Sequence, residues 1–395
     1  MIDYQNFLND KIKQVKPSGI RKFFDIAVEM DNVISLSIGE PDFQTPWHIR
    51  QAGIKSLEKG KTWYTPNKGF IELRKEICNY YKRRFNLSYN AEDEVLVTVG
   101  GSEAIDLVLR TLVNRGDEVL IPEPAFVCYK PLTYMSGGKP VIIETKAENN
   151  FRLTKEELEN AVTDKTKILV LPFPNNPTGA VMERADLEAI AEVIIKNDLI
   201  VVSDEIYGEL TYGNKNHVSI AEIDGMKERT VVISGFSKAY AMTGWRLGYA
   251  LGPKEIVGQI TKLHQYGIMS SPTTAQYAAI EALRNGDHDV EEMRSDYDIR
   301  RRLIVGKLNE IGLTCFEPLG AFYAFPCIKS TGLSSEEFAT RLVKEKRIAV
   351  VPGTAFGESG EGFVRISYAQ SLKNIKIALK RIEEFVEELK NESKG

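Results

Sequence analysis

Lys238 lies in the segment Ser234-Gly-Phe-Ser-Lys238-Ala-Tyr-Ala-Met-Thr-Gly-Trp-Arg246, directly after the short β-branched run Thr230-Val-Val-Ile-Ser234. A lysine just past the end of a buried strand sits where sheets of this kind dock ligands, outside the strands' carboxyl ends. An amine held there can act as nucleophile or base, whereas a solvated surface lysine does neither. Three more loops follow strand-like runs in the same way. Asp204-Glu-Ile-Tyr207 follows Leu199-Ile-Val-Val-Ser203, Pro174-Asn-Asn176-Pro-Thr-Gly179 follows Lys167-Ile-Leu-Val-Leu171, and Gly100-Gly-Ser-Glu-Ala104 follows Glu94-Val-Leu-Val-Thr-Val99. Taken singly these read as an N-cap, turn punctuation and a strand-to-helix turn. Four such loops at one edge of a sheet are harder to dismiss.

The elements that must carry these loops are legible in the hydrophobic pattern. The runs above, with Glu118-Val-Leu-Ile121 and Pro140-Val-Ile-Ile143, lack polar alternation, as strands covered on both faces do. Between them fall helical patterns: Ile105, Val108, Leu109 and Leu112 share one face of a helix from Ser102 to Val113, and Leu187, Ile190, Ala191 and Ile194 share one from Ala185 to Asn197. This alternation predicts an α/β fold with a mostly parallel sheet flanked by helices. After about residue 285 the pattern changes to a charged helix (Val290 to Leu308), an aromatic strand-like run (Gly320-Ala-Phe-Tyr-Ala-Phe325) and a terminal helix repeating Ile375, Leu379, Ile382 and Val386. A smaller α+β domain is expected there. The expected division is residues 1–45 as an N-terminal segment packing with the small domain, 46–285 as a large domain, and 286–395 as the small C-terminal domain. The first segment offers one helical stretch and one strand-like run, Val33-Ile-Ser-Leu-Ser37, too little for its own core.

Composition narrows the chemistry. The 395 residues carry 51 Lys plus Arg against 55 Asp plus Glu, a formal charge of −4 that leaves no electrostatic footprint for nucleic acid or for a membrane surface. Small molecules are the expected partners. Cys78, Cys128, Cys315 and Cys327 are scattered and unpaired with histidine, so neither a metal site nor a disulfide framework is expected. The four histidines, His48, His217, His264 and His288, have no metal-ligand spacing, and histidine is not the expected base. No signal-peptide pattern opens the chain and no apolar run approaches a transmembrane length, so a soluble, cytoplasmic protein is expected.

Asn176-Pro-Thr-Gly179, Asp204-x-x-Tyr207, Ser237-Lys238 with Arg246 eight residues on, and Val364-Arg365-Ile-Ser367 occur in an order and spacing that resembles the class I/II pyridoxal-phosphate aminotransferases, the aspartate aminotransferase-like enzymes of fold type I. The resemblance runs from Ile38-Gly-Glu-Pro-Asp42 to the end of the chain. Ser18-Gly-Ile-Arg-Lys22, Thr65-Pro-Asn-Lys-Gly69, His264-Gln-Tyr266 and Gly320-Ala-Phe-Tyr323 are similar to the branch that includes aspartate, aromatic and N-acetyl-diaminopimelate aminotransferases.

The resemblance implies a role for each residue. Lys238 would form the Schiff base with pyridoxal 5′-phosphate and serve as leaving amine and base. Asp204 would keep the pyridine nitrogen protonated, making the ring an electron sink. Asn176 and Tyr207 would donate to the cofactor's phenolate oxygen. Phe126 would stack on the ring, the alternative being a core phenylalanine. Gly101 and Ser102 would offer backbone N–H groups to the phosphate at a helix N-terminus. Arg246 would add a charge-assisted fork, and Tyr64 would reach across from the other subunit of a homodimer with shared active sites. Many relatives carry a serine where this chain has Gly235, so Ser234 and Ser237 are the candidates for that hydroxyl. Arg365 would clamp the substrate α-carboxylate, helped by the Gly39 backbone and Asn176, the alternative being a structural ion pair.

The implied activity is transfer of an amino group from an L-amino acid to a 2-oxo acid, with 2-oxoglutarate as acceptor, by a ping-pong cycle. The donor expected is aspartate, an aromatic amino acid or N-acetyl-diaminopimelate. Ser102 stands where some aspartate-preferring relatives have a lysine, which argues against a dedicated dicarboxylate pocket; Arg21 is either its replacement or a surface arginine. Ile20, Phe126 and Tyr266 are expected to shape the pocket. The cofactor motifs do not separate this reading from a carbon–sulfur β-lyase on the same fold. A non-catalytic, effector-sensing domain is a remoter alternative, since the segment before Ile38 has no room for a DNA-binding module.

Overall fold

The computed structural model describes residues 2–20, 30–213 and 216–392. Twelve strands are found among these residues. They are β1 (Ile34–Ser35), β2 (Val95–Thr98), β3 (Glu118–Glu123), β4 (Lys139–Glu144), β5 (Thr166–Leu171), β6 (Ile200–Asp204), β7 (Thr230–Gly235), β8 (Gly248–Leu251), β9 (Tyr323–Ala324), β10 (Ile348–Ala349), β11 (Val351–Pro352) and β12 (Val364–Ser367).

Seven strands form the main sheet in the order β2-β8-β7-β6-β5-β3-β4. Only β8 runs against its neighbours; β7, β6, β5, β3 and β4 pair in parallel. All residues of β2, β3 and β7 are buried, which explains their unbroken apolar runs. The helix Gly101–Leu112 covers one face, burying Ala104, Ile105, Leu107, Val108 and Leu109. On the other face Arg184–Lys196 buries Leu187, Ile190, Ala191, Val193 and Ile194. Six of the seven strands coincide with the runs read from the sequence to within about two residues at either end, the usual uncertainty of element ends. The seventh, β8, was not expected. It has four residues, opens on glycine and contains no β-branched side chain.

Beyond residue 285 the long helix Asp287–Ile311 packs on β9 of the antiparallel sheet β11-β12-β9, and the terminal helix Leu372–Glu392 packs on that long helix, on the helix Ser335–Lys346 and on β10. The terminal helix buries Ile375, Ala378, Leu379, Ile382, Phe385, Val386 and Leu389, in line with its helical repeat. The N-terminal strand-like run closes here: β1 pairs in parallel with β10, Ile34 opposite Ile348, and the Ser367 N–H donates to the Leu36 carbonyl at 2.8 Å. This pairing sets Ser37 and Gly39 beside β12, which carries Arg365. None of the helices among the described residues is long and apolar enough to cross a membrane, and those residues hold no cluster able to bind a metal ion.

Candidate active site

Because β2, β3, β5, β6 and β7 run the same way, their carboxyl ends share one edge, and the loops leaving that edge converge on a cavity of about 540 Å³. Gly101 and Ser102 reach it from β2, Phe126 and Tyr129 from β3, Pro174 and Asn176 from β5, Asp204 and Tyr207 from β6, and Ser237 and Lys238 from β7. Arg246, Gly39, Glu40, Tyr323 and Arg365 complete the wall from elsewhere in the chain.

Each side chain has a local reason for its aim. After β5, Asn175 closes the turn: its Oδ1 accepts from the Thr178 N–H and hydroxyl at 3.1 and 2.8 Å, which leaves Asn176 to face the cavity. Gly100, ahead of the helix Gly101–Leu112, has φ +78, and a Cβ there would come within 2.5 Å of the Arg246 guanidinium. Any larger residue would push Arg246 off the helix N-terminus. Glu103 fastens the same turn, its carboxylate accepting from the Val99 N–H and facing His264 Nδ1 at 2.7 Å. A Cβ at Gly235 would meet the Gly248 Cα at 2.9 Å, so a serine at 235 would need β8 to shift. Of the two remaining serines, Ser237 lines the cavity; Ser234 does not, its hydroxyl donating to the Glu205 carbonyl at 3.3 Å.

Three charges here, Asp204 and Arg365 buried and Lys238 half-buried, lack an ordinary ion-pair partner. The Lys238 amine donates to the Gly39 carbonyl at 2.7 Å, and burial lowers its pKa from 10.5 to about 8, helped by Arg365 and Arg246. Asp204 accepts from the Tyr129 hydroxyl at 2.7 Å and the Ile206 N–H at 3.2 Å, and burial raises its pKa. The Arg365 guanidinium donates to Asn176 Oδ1 at 2.9 Å and to the Ser37 carbonyl at 2.6 Å, lies over the Tyr323 and Phe356 rings at 4.5 and 4.8 Å, and leaves its Nε unpartnered. No carboxylate among the described residues pairs with it. A buried guanidinium costs several kcal/mol unless an anion joins it, so this is a cavity built for a charged ligand.

Tyr64 is 76% exposed and Tyr266 86% exposed, and neither lines the cavity of this chain. Ile20 and Phe126 do. Arg21 lies outside the described residues. Sequence reasoning gave no role to Tyr129, Glu40 or Tyr323, which also line the cavity. Tyr129 is five residues past Pro124, the proline that follows β3, and its hydroxyl meets Asp204 across 75 positions, so no local pattern marks it.

A mostly parallel sheet that gathers a half-buried lysine, a buried aspartate and a helix-start anion cradle at one edge defines the fold type I class of pyridoxal-phosphate enzymes. Residues 31–382 match the family Aminotransferase class I and II. The chain is 48% identical to an aspartate aminotransferase of Pyrococcus abyssi, over 97% of this chain and 99% of that one. It is 46% identical to aromatic-amino-acid aminotransferase 2 of Thermococcus litoralis, with the same coverage of 97% and 99%. The solved structure of the Thermus thermophilus aspartate aminotransferase with maleate superposes with a TM-score of 0.91 at 37% identity, covering 95% of this chain and 99% of that one. The chain therefore belongs to the class I and II aminotransferases, and it is an aminotransferase that depends on pyridoxal phosphate and acts on amino acids and 2-oxo acids.

The cavity fits that cofactor. Asp204 is a carboxylate without a cation, which a protonated ring nitrogen would supply. The Gly100 turn with Arg246 beside it is a cradle that a Cβ would fill and a phosphate can enter. Lys238 presents a primary amine between them.

Proposed function

We propose that the chain is a homodimeric, cytoplasmic aminotransferase that takes the amino group of an aspartate-, aromatic- or N-acetyl-diaminopimelate-like donor and passes it to 2-oxoglutarate in a ping-pong cycle. The observation that carries this reading is the buried Arg365 without a carboxylate partner, in one cavity with Lys238. A site that needs both an amine-exchanging group and an α-carboxylate clamp is suited to amino acids and 2-oxo acids alike, since both carry the carboxylate.

When bound, pyridoxal phosphate supplies an aldehyde that condenses with amines and a ring that takes up electrons when a Cα proton leaves. Lys238 anchors it; Gly101, Ser102, Ser237, Arg246 and the partner chain's copy of residue 64 hold its phosphate; Phe126 backs its ring; and Asp204, Asn176 and Tyr207 set its charge. Arg365, with Asn176 and the Gly39 backbone, orients the substrate carboxylate. Lys238 Nζ, once free, takes the Cα proton and gives it up again within the cavity. Its pKa of about 8 suits both tasks near neutral pH.

The homodimer is supported by one face that carries Trp63, Tyr64, Tyr266, Ile268 and Met269, all exposed. That face is held together by Asn67 donating to the Met269 carbonyl at 2.8 Å and Thr273 to the Trp63 carbonyl at 2.7 Å. Large aromatic residues so placed are suited to a covered interface. The division at residues 45 and 285 belongs to the same reading: β1 joins β10, and the N-terminal segment then travels with the small domain. Ile20, Ile105, Phe126, Pro172 and Pro174 make much of the wall apolar, and Lys238, Arg246 and Arg365 are its only cations among the described residues.

Half-reactions test the reading. Aspartate, glutamate, phenylalanine, tyrosine, methionine and N-acetyl-diaminopimelate are added singly to the holoenzyme, and loss of the cofactor's visible absorption is followed. Donors that bleach it, with recovery on adding 2-oxoglutarate, support the proposal. Pyruvate and ammonia released from cystathionine without any oxo acid would overturn it in favour of a β-lyase.

A further inference from the structure

Tyr323 stands in the cavity wall and has no part in the roles above. Its hydroxyl lies 2.8 Å from the Tyr207 hydroxyl, and its ring carries the Arg365 guanidinium at 4.5 Å. On a third side it abuts Gly39, where a Cβ would come within 2.8 Å of the same hydroxyl. The sheet sets this contact: Tyr323 in β9 faces Ser367 in β12, and Arg365 lies two residues before Ser367, on the same face. One side chain thus touches the group that would bind the substrate carboxylate, the group that would donate to the cofactor oxygen, and the loop whose carbonyl accepts from Lys238.

We propose that Tyr323 is a positioning residue that couples carboxylate capture at Arg365 to the hydrogen bond that Tyr207 offers the cofactor. The inference rests on the proposed function, in which Arg365 and Tyr207 hold those roles. Each phenol has a single proton to donate. If Tyr323 donates to Tyr207, the Tyr207 proton is free to point into the cavity; if Tyr207 donates to Tyr323, it is not. The uncompensated guanidinium holds positive potential on both rings and makes both hydroxyls better donors. A carboxylate on Arg365 removes that potential, and the Tyr207 hydrogen bond weakens as the site fills. The charged and titratable groups that face the Tyr323 hydroxyl are Arg365, Tyr207 and Glu40; those that face Tyr207 are Tyr323, Arg365, Asp204 and Lys238, whose Nζ lies 5.9 Å from its ring centre.

The test titrates the visible absorption of the holoenzyme with pH, with and without 3-phenylpropanoate, a carboxylate that cannot react. In the unsubstituted enzyme the carboxylate moves the spectral midpoint upward by about one pH unit. In Tyr323→Phe, with cofactor content and circular dichroism unchanged, the shift falls below about half of that. The Tyr207→Phe enzyme loses the same increment, and the double variant loses no more than Tyr207→Phe alone. An undiminished shift in Tyr323→Phe, or additive losses in the double variant, would overturn the coupling while leaving the proposed function intact. A native enzyme that binds the carboxylate without any spectral shift overturns the coupling too. One that does not bind it at all overturns the role of Arg365 and the coupling together.

Discussion

The Nζ of Lys238 donates to the Gly39 carbonyl at 2.7 Å, joining two residues 199 positions apart in the chain. Lys238 leaves the edge of the main sheet, whereas Gly39 belongs to the segment tied to β10 and β12. The amine is therefore held where the loop after β7 meets that N-terminal segment, and its depressed pKa follows from that placement.

This placement makes the stability of the cofactor-free enzyme depend on pH. Lys238 has a folded-state pKa of about 8 against 10.5 for an unperturbed lysine, so between those values the unfolded chain binds more protons and stability rises with pH. Below about 8 the folded state carries the full cost of a buried ammonium. Lys238→Met should stabilise the cofactor-free protein at pH 7 by about 2 to 3 kcal/mol, with the gap closing towards pH 10.5. Urea midpoints at pH 7 and 10 check this, and a gap independent of pH counts against it.

Asp204 and Tyr129 give a graded pair of variants. Asp204→Asn keeps the shape and removes the charge that a ring nitrogen needs, and should lower kcat by about 100-fold or more, the equivalent of about 3 kcal/mol. Tyr129→Phe removes only the hydroxyl that orients Asp204 and should cost about tenfold, or about 1.4 kcal/mol. Steady-state kinetics at saturating cofactor measure both; a Tyr129→Phe loss as large as that of Asp204→Asn would mean that Tyr129 does more than orient.

Much of this site was legible before any coordinates. The strand-end loops were visible because parallel strands buried on both faces must be apolar throughout, and ligand-facing residues then have to follow them. What escaped was set by packing across the chain. The brief β8 reverses direction in the sheet, and Tyr323 meets Tyr207 across 116 positions, a contact made by β9 pairing with β12. No spacing in the sequence encodes a meeting of that kind, and the same holds for the segment of Ser37 and Gly39, which reaches Arg365 through the β1–β10 pair and the bond from Ser367 to Leu36.

Arg365 should show opposite effects on stability and on catalysis. Arg365→Met removes a buried, unpaired charge and should leave the cofactor-free protein as stable as before or more so, by about 1 to 4 kcal/mol. Arg365→Lys loses the planar fork and should raise KM for amino acids about 100-fold, with little effect on cofactor retention. Thermal unfolding and steady-state kinetics read the two out. A marked fall in Tm for Arg365→Met would show the guanidinium to be a structural tie to Ser37 and Asn176 instead.

Tyr64 offers the sharpest test of shared sites, because nothing in one chain brings it to the cavity that Arg246 and Gly101 line. If the partner chain presents it to the phosphate, Tyr64→Phe should weaken cofactor retention about tenfold, the worth of one hydrogen bond to a charged group. Lys238→Ala should be inactive in its own right. Mixing the two variants under conditions that exchange subunits pairs an intact Lys238 on one chain with an intact Tyr64 on the other, so each hybrid dimer has one complete site and one doubly broken site. With equal amounts and random exchange, half the dimers are hybrids, and the mixture should regain tight cofactor binding at about a quarter of all sites. Cofactor titration at limiting concentration resolves these from the weakened sites of the Tyr64→Phe homodimer. A mixture that binds and turns over as the plain average of its two parents would leave each chain to complete its own site, and a Tyr64→Phe enzyme that retains cofactor like the unsubstituted one would place Tyr64 outside the phosphate site.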